Sequence, residues 1–390
     1  MTRARVRASS SFSPPASLSA RVSGVLSRAA LKVQPHTFFG APPRNAAAGE
    51  RAAVAFLGAP FDLGTTHRPG ARFGPEAVRA ASAWWQYTRD DENNNAAGGT
   101  NSRGGEGWYD LERQRWILRG VSMADWGDVR ITPTHATENF DRITECVRAI
   151  LDDGSLPVLV GGDHAVTYPA LRAFAGRGPL HIVQFDSHQD FVDARYGVRL
   201  GHGNVMRRAS ELPFVTGISQ VGLRALQKYA EPLEAGRRYG IRIVNASDLR
   251  RRGPRAAAAV VPAGARCYLS LDIDVLDIAS APGTGTPEPG GLTFPELRDA
   301  VRAIASRCKI VGLDLVEVSP PYDWAEVTAR AAARLLLDGL SAIMDRPRNR
   351  PTGAAPGRRR ATGTVTPSAH ADSTARYTRS EGGRRWAAHR

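Results

Sequence analysis

The chain has 390 residues, 42% hydrophobic and 23% charged, and a formal net charge of +14. No apolar run reaches the ~20 residues a membrane helix needs. Three scattered cysteines (Cys146, Cys267, Cys308) argue against a disulfide framework or a paired zinc knuckle and fit a reducing compartment. The basic excess sits at the ends: residues 1–49 hold seven Lys and Arg and no acid, and residues 346–390 hold eleven Arg against Asp372 and Glu381. The body between them is nearly neutral, which disfavours nucleic acid or another polyanion as the main partner.

In chain order, the opening segment is rich in Ala, Ser, Pro and Arg and lacks apolar periodicity, so residues 1–51 are expected to be a disordered basic extension. The acid-free composition of residues 1–49 also fits a mitochondrial transit peptide; a plain extension is the simpler reading. Strands are expected at 52–60, 121–129, 156–163, 180–186, 215–223, 267–275 and 309–318, most of them continuously apolar, as strands covered on both faces are. Helical patterns fall at 75–82, 137–153, 167–175, 203–211, 294–307 and 324–345. Strand and helix in alternation predict an α/β fold of three layers, a mostly parallel sheet between helices. The Gly-rich polar stretch 88–107 reads as a surface loop, and 346–390 as a disordered Arg-rich tail.

Four of these strands end in residues that a strand has no use for. "VLVGGDH" ends in Asp163 and His164; "VQFDSHQD" supplies Asp186, His188 and Asp190; "YLSLDIDVLD" supplies Asp272, Asp274 and Asp277; "VGLDLVEVSP" supplies Asp314 and Glu317. Asp186, His188 and Asp190 alternate, so an extended chain puts them on one face. Parallel strands share one carboxyl edge, where such sheets bind ligands, so the four clusters are expected to converge. Taken singly, "GGDH" could be a helix cap and "DIDVLD" a solvated loop; all of them at strand ends of one sheet make coincidence a poor explanation. Four carboxylates (Asp186, Asp190, Asp272, Asp274) gathered this closely need about two divalent cations for neutrality. With His164 and His188 the set is mixed oxygen and nitrogen without thiolate, which suits Mn(II), Fe(II), Co(II) or Zn(II) and leans toward Mn(II).

These segments, with "GAPFDLGTTHRPGARFGPEAVR" at 58–79, resemble the signatures of the ureohydrolases, the binuclear manganese enzymes that include arginase and agmatinase. The likeness runs over residues 52–345, which would be the catalytic domain with an arginase-like fold. It implies two Mn(II) per chain, one on His164, Asp186, Asp190 and Asp272, the other on Asp186, His188, Asp272 and Asp274, with Asp186 and Asp272 bridging. It implies hydrolysis of a guanidino group to urea and an amine by a metal-activated water. Asp190 would also orient that water, Glu317 would anchor the guanidinium, and His202 in "RLGHGN" would carry protons to the departing amine. Asp163, Asp277 and Asp314 would support ligands or loops. A homo-oligomer, trimer or hexamer, is implied in the same way.

Two positions depart from the family pattern. Ser187 stands where alanine is usual, on the face of the strand opposite the ligands, and should leave the metals intact. Trp324 stands where a histidine often follows "PPYD", nearer the far end of the substrate. Phe191 and Val192 also replace the polar hook that reads an α-carboxylate in arginase. A substrate without an α-amino acid head is therefore expected: agmatine, giving putrescine and urea in polyamine biosynthesis, or else guanidinobutyrate or guanidinopropionate, whose carboxylate Arg195 or Arg199 could receive. Arginase itself and a single-zinc deacylase are the less favoured alternatives. Location is expected in the cytoplasm, or in the mitochondrial matrix if the extension is a transit peptide.

Overall fold

The computed structural model describes residues 31–32, 36–44, 51–86, 105 and 107–345. The strands, in chain order, are β1 (Leu31–Lys32), β2 (Val54–Ala59), β3 (Trp108–Asp110), β4 (Arg115–Ile117), β5 (Met123–Val129), β6 (Leu156–Gly161), β7 (Leu180–Phe185), β8 (Val215–Val221), β9 (Arg242–Val244), β10 (Arg266–Asp272) and β11 (Lys309–Val316). The α-helices are α1 (Gly74–Ser82), α2 (Ala136–Asp152), α3 (Thr167–Arg172), α4 (Val205–Ser210), α5 (Glu231–Tyr239), α6 (Ala246–Arg252), α7 (Arg255–Ala259), α8 (Phe294–Arg307) and α9 (Val327–Met344). Nine strands form one sheet in the order β1-β5-β2-β6-β11-β10-β7-β8-β9, and β3 and β4 form a separate hairpin. Every pairing in the large sheet is parallel except that of β1 with β5.

The apolar runs explain the layering. Every residue of β2 and β7 is buried, because helices cover both faces of the sheet. On one face Val54, Phe56, Val158 and Leu313 pack under α1, α8 and α9; on the other Ala55, Leu57, Leu159 and Ile182 pack under α2, α3 and α4. Two buried layers around one sheet make the expected three-layer αβα arrangement. Its central strand order places β10 and β11, the last two in sequence, between β6 and β7. After β6 the chain therefore jumps across the sheet, which leaves a crevice at the carboxyl ends of these four strands.

The fold begins before residue 52. Phe38 and Phe39 are buried against Phe56, with ring centroids 5.1 and 5.6 Å away, and β1 pairs with β5. These parts of the extension are ordered because two phenylalanines and a ladder pair give them surface to bury; composition dominated by Arg and Ala hid that. Residues 1–30, 33–35 and 45–50, most of the 88–107 loop and all of 346–390 lie outside the described residues. The last helix starts at Val327 rather than 324, because Ala325 and Glu326 take positive φ (55° and 59°) while Asp323 caps the amides of Thr328 and Ala329 at 2.8 and 2.9 Å.

Candidate metal centre

The register of the central strands carries the four clusters to one level. Asp272 pairs with Val316, Leu271 with Phe185, and Leu315 with Val160, so β6, β7, β10 and β11 end together. The ligand-type residues turn over this shared edge: His164 after β6, Asp186 to Asp190 after β7, Asp272 and Asp274 at the end of β10, and Glu317 after β11. Gly162 makes the β6 turn possible, since a Cβ there would lie 1.7 Å from the carbonyl oxygen of Phe61. Asp190 and Glu317 both have positive φ (51° and 65°), a conformation unusual outside glycine and common where a site dictates the backbone.

His164 Nδ1 lies 3.1 Å from Asp186 Oδ2, 3.0 Å from Asp190 Oδ2 and 3.2 Å from Asp272 Oδ2. The atom is buried, yet it makes no hydrogen bond of acceptable geometry. An N–H could point at one of three carboxylate oxygens, whereas a cation set among all four atoms would satisfy every one. His188 Nδ1 lies 3.0 Å from Asp274 Oδ2 and 3.6 Å from Asp186 Oδ1. Two groups with the spacing of cation ligands result, His164–Asp186–Asp272 and Asp186–His188–Asp274, sharing Asp186. At ~4 Å and an effective dielectric of ~20, each carboxylate pair repels by about 4 kcal/mol. The donor set therefore fits two hard divalent cations. Asp190 joins the first group through His164, and Asp272, of the first group, accepts at Oδ1 from the Asp274 amide of the second at 2.9 Å.

The electrostatics carry the same sign. Burial, then the charges of Asp274 and Asp186, hold the Asp272 carboxyl well above its ordinary range. Burial and the charge of Asp186 push Asp190 up to about 6. Burial opposes ionisation of Asp186 as well, but the two imidazoles outweigh it and hold this carboxyl below the usual range. Burial disfavours the imidazolium of His164 and of His188, and the surrounding carboxylates outweigh it, so both are held well above 6.5. The site without cations keeps protons that cations would replace.

Surrounding polar groups fix these ligands. His164 Nε2 lies 2.9 Å from Ser270 Oγ, which donates to Asp314 Oδ1 at 2.7 Å; Tyr268 donates to Asp314 Oδ2 at 2.8 Å. This chain orients the ring so that Nδ1 faces the carboxylates. Gln184 donates to Asp186 Oδ2 at 2.6 Å and accepts from Gln220 at 2.5 Å. Asp163 accepts from the amides of Gly64 and Ala165 at 2.7 and 3.0 Å, and burial beside Glu317 pushes its carboxyl up to about 7.

Glu317 Oε1 accepts from the His164 amide and from His202 Nδ1, both at 2.9 Å. Its Oε2 is buried and has no partner. Gly285 borders that oxygen: a Cβ there would lie 3.5 Å from it, in ordinary contact. Burial opposes the charged form of His202, and the hydrogen bond and charge of Glu317 outweigh it and raise the imidazole to about 9. On its other side, the Thr66 amide donates to His202 Nε2 at 3.2 Å and Thr66 Oγ1 lies 2.8 Å away. The amide favours the neutral ring with its proton on Nδ1, so Glu317 and Thr66 pull against each other across one imidazole.

The sequence-derived residues thus come together: His164, Asp186, His188, Asp190, Asp272 and Asp274 in the two groups, with Glu317 and His202 beside the first. The expectation for Ser187 is corrected. Its hydroxyl reaches Asp274 Oδ1 at 2.8 Å and His188 Nδ1 at 2.9 Å, because β7 has ended at Phe185 and strand alternation no longer governs its direction. Arg199 is engaged with Asp193 and Glu211, each at 3.2 Å. Asp277 caps the amides of Ala279 and Gly291 at 3.0 and 2.8 Å in the neighbouring loop. Trp324 is 82% exposed. Sequence reading missed Ser270, Gln184 and Thr66. Gln184 carried a signal, being a polar residue in a fully buried strand; Thr66 carried none.

Fold and site together define a metal-dependent hydrolase of the open α/β type. The Arginase family profile matches residues 52–341. Mitochondrial guanidino acid hydrolase of Homo sapiens is 35% identical over 296 residues, 74% of this chain and 78% of that protein. Mitochondrial agmatinase of Gallus gallus is 34% identical over 339 residues, 85% of this chain and 89% of that protein. The solved structure of proclavaminate amidino hydrolase from Streptomyces clavuligerus superposes with a TM-score of 0.67 at 31% identity, over 80% of this chain and 97% of that one. The chain belongs to the arginase family and is a ureohydrolase.

Proposed function

We propose that this protein hydrolyses a small guanidine lacking an α-amino acid head, agmatine first, to urea and an amine, using two Mn(II) per chain. The observation that carries the reading is the buried, unpartnered Glu317 Oε2 beside the ligand cluster. An open carboxylate oxygen in a polar, cation-binding crevice suits one N–H of a planar guanidinium, with the geometry of a charge-assisted hydrogen bond. His164, Asp186, Asp190 and Asp272 would hold one ion, and Asp186, His188, Asp274 and, by family likeness, Asp272 the other. When bound, such ions supply Lewis acidity and lower the pKa of water, which makes a nucleophile available at neutral pH.

The protein's own residues do the rest. Glu317 orients the guanidinium carbon toward the ligand cluster, and Asp190 holds a reacting water by its carboxylate. His202, whose charged form Glu317 favours, gives a proton to the departing amine, and exposed Thr66 links its Nε2 to solvent. Buried Phe191, packed on Tyr239 with centroids 6.1 Å apart, offers nothing polar to an α-carboxylate. Half-buried Glu288, 3.8 Å from His188 Nε2, is an acid within reach of a distal ammonium.

An ω-guanidino acid is the second reading, and Arg68 favours it. That side chain is half-buried beside Gly285, bonded to its carbonyl at 3.3 Å and stacked 4.7 Å over the Tyr322 ring, where its outer nitrogens can take a carboxylate. The human and chicken mitochondrial relatives divide along the same line. Urea release from agmatine, guanidinobutyrate, guanidinopropionate and arginine with added Mn(II) tests the proposal: turnover of one of the first three supports it, and turnover of arginine alone contradicts it. A homo-oligomer and a cytoplasmic location, or a mitochondrial one, belong to the same proposal, with residues 52–345 as the catalytic domain. No helix among the described residues is long and apolar enough to cross a membrane.

A further inference from the structure

Ser187 is buried to 1% exposure between two ligands of the second cation group. Both its amide, at 3.0 Å, and its hydroxyl, at 2.8 Å, donate to Asp274 Oδ1. That oxygen has two lone pairs, and both are engaged. The carboxylate is thereby held with Oδ2 toward His188 Nδ1 at 3.0 Å, where Thr286 Oγ1 also approaches at 3.3 Å. The hydroxyl has one proton, committed to Asp274, so in the cation-free site it accepts the proton on His188 Nδ1, 2.9 Å away. The Ser187 backbone is itself fixed, since its carbonyl accepts from the amides of Arg224 and Ala225 at 3.0 and 3.1 Å.

We infer that Ser187 is a positioning residue for the second metal ion: its amide and hydroxyl fix the Asp274 carboxylate that, with His188 and Asp186, would hold that ion. Its side chain touches Asp274 and His188, both in the second group, so its effect falls first on that ion of the pair. Partners that orient metal ligands commonly contribute ~10–100-fold to affinity. The inference rests on the two-ion site of the proposed function.

The test is titration of the metal-free full chain with Mn(II), read by calorimetry and by the electron paramagnetic resonance of free Mn(II). Wild type binds two ions. Ser187→Ala weakens the second by about tenfold or more and leaves the first unchanged; Ser187→Thr, which restores the hydroxyl, recovers the loss. Ser187→Cys, a weaker donor, gives an intermediate loss and replaces the alanine variant if that protein does not fold. Unchanged or tighter binding of the second ion, or equal weakening of both, overturns the role of Ser187. Failure of wild type to bind two ions overturns the proposed function instead, so the two failures are told apart.

Discussion

Glu317 Oε1 and His202 Nδ1 are 2.9 Å apart, joined across 115 residues of sequence, and the other Glu317 oxygen has no partner. One carboxylate thus steadies the imidazole with one oxygen and, on the proposed reading, offers the second to substrate. Glu317→Gln keeps shape but loses charge at both. Two ions per chain are expected to remain, and kcat/KM to fall by about 10²-fold or more. Metal analysis beside urea release checks this, and wild-type turnover would contradict it.

On the proposed reading His202 moves protons and holds no metal. His202→Asn is expected to lower kcat by about 10²–10⁴-fold with metal content intact. Loss of metal in this variant would show that its role is structural.

Metal binding should tighten as pH rises. Without cations, His164 and His188 are held well above 6.5 by carboxylates that outweigh burial, and burial beside Asp186 pushes Asp190 up to about 6. Each of these groups must shed its proton to bind an ion, so uptake of Mn(II) releases protons and weakens in acid. Calorimetry in buffers of different ionisation enthalpy counts the protons; a pH-independent affinity would contradict the arrangement.

Two side chains at the rim separate the substrate readings. Glu288→Gln is expected to raise KM for agmatine and spare guanidino acids, and Arg68→Met the reverse, each by about tenfold for one lost charge contact. Equal effects of either variant on both substrates would remove these residues from recognition.

A histidine far from this chemistry sets acid sensitivity. Burial, with Arg242 nearby, holds His181 down at about 4 from its ordinary 6.5, and its Nε2 sits 2.9 Å from Ser219 Oγ. Between those values the unfolded chain binds the proton more readily than the folded one. The stability this gives is complete above about 6.5 and is lost as pH falls toward about 4. His181→Gln should flatten that part of a urea-denaturation profile; an unchanged slope would contradict it.

The ends of β6, β7, β10 and β11 were legible because each is an apolar run that stops in acids or imidazoles, and parallel strands must share an edge. The convergence of His164 with Asp272 followed from that alone. The segment from Glu231 to Ala259 was not legible: its three helices are 9, 7 and 5 residues long, too short for an apolar stripe to stand out in a stretch rich in Arg and Ala. The β3–β4 hairpin escaped for a related reason, since Tyr109 and Trp116 stack on an exposed face at 5.6 Å and blur the alternation. Ser270 and Gln184 support ligands from inside β10 and β7, and Ser187 from just past the end of β7; which partner each side chain meets is a matter of three-dimensional placement that spacing does not encode.

Asp186 touches both ligand groups, with Oδ2 3.1 Å from His164 Nδ1 and Oδ1 3.6 Å from His188 Nδ1. Measuring bound Mn(II) and urea release together in Asp186→Asn tests the shared centre most directly. Loss of both ions and of turnover in one step is the expected result; an Asn variant that kept two ions and full activity would contradict a shared centre.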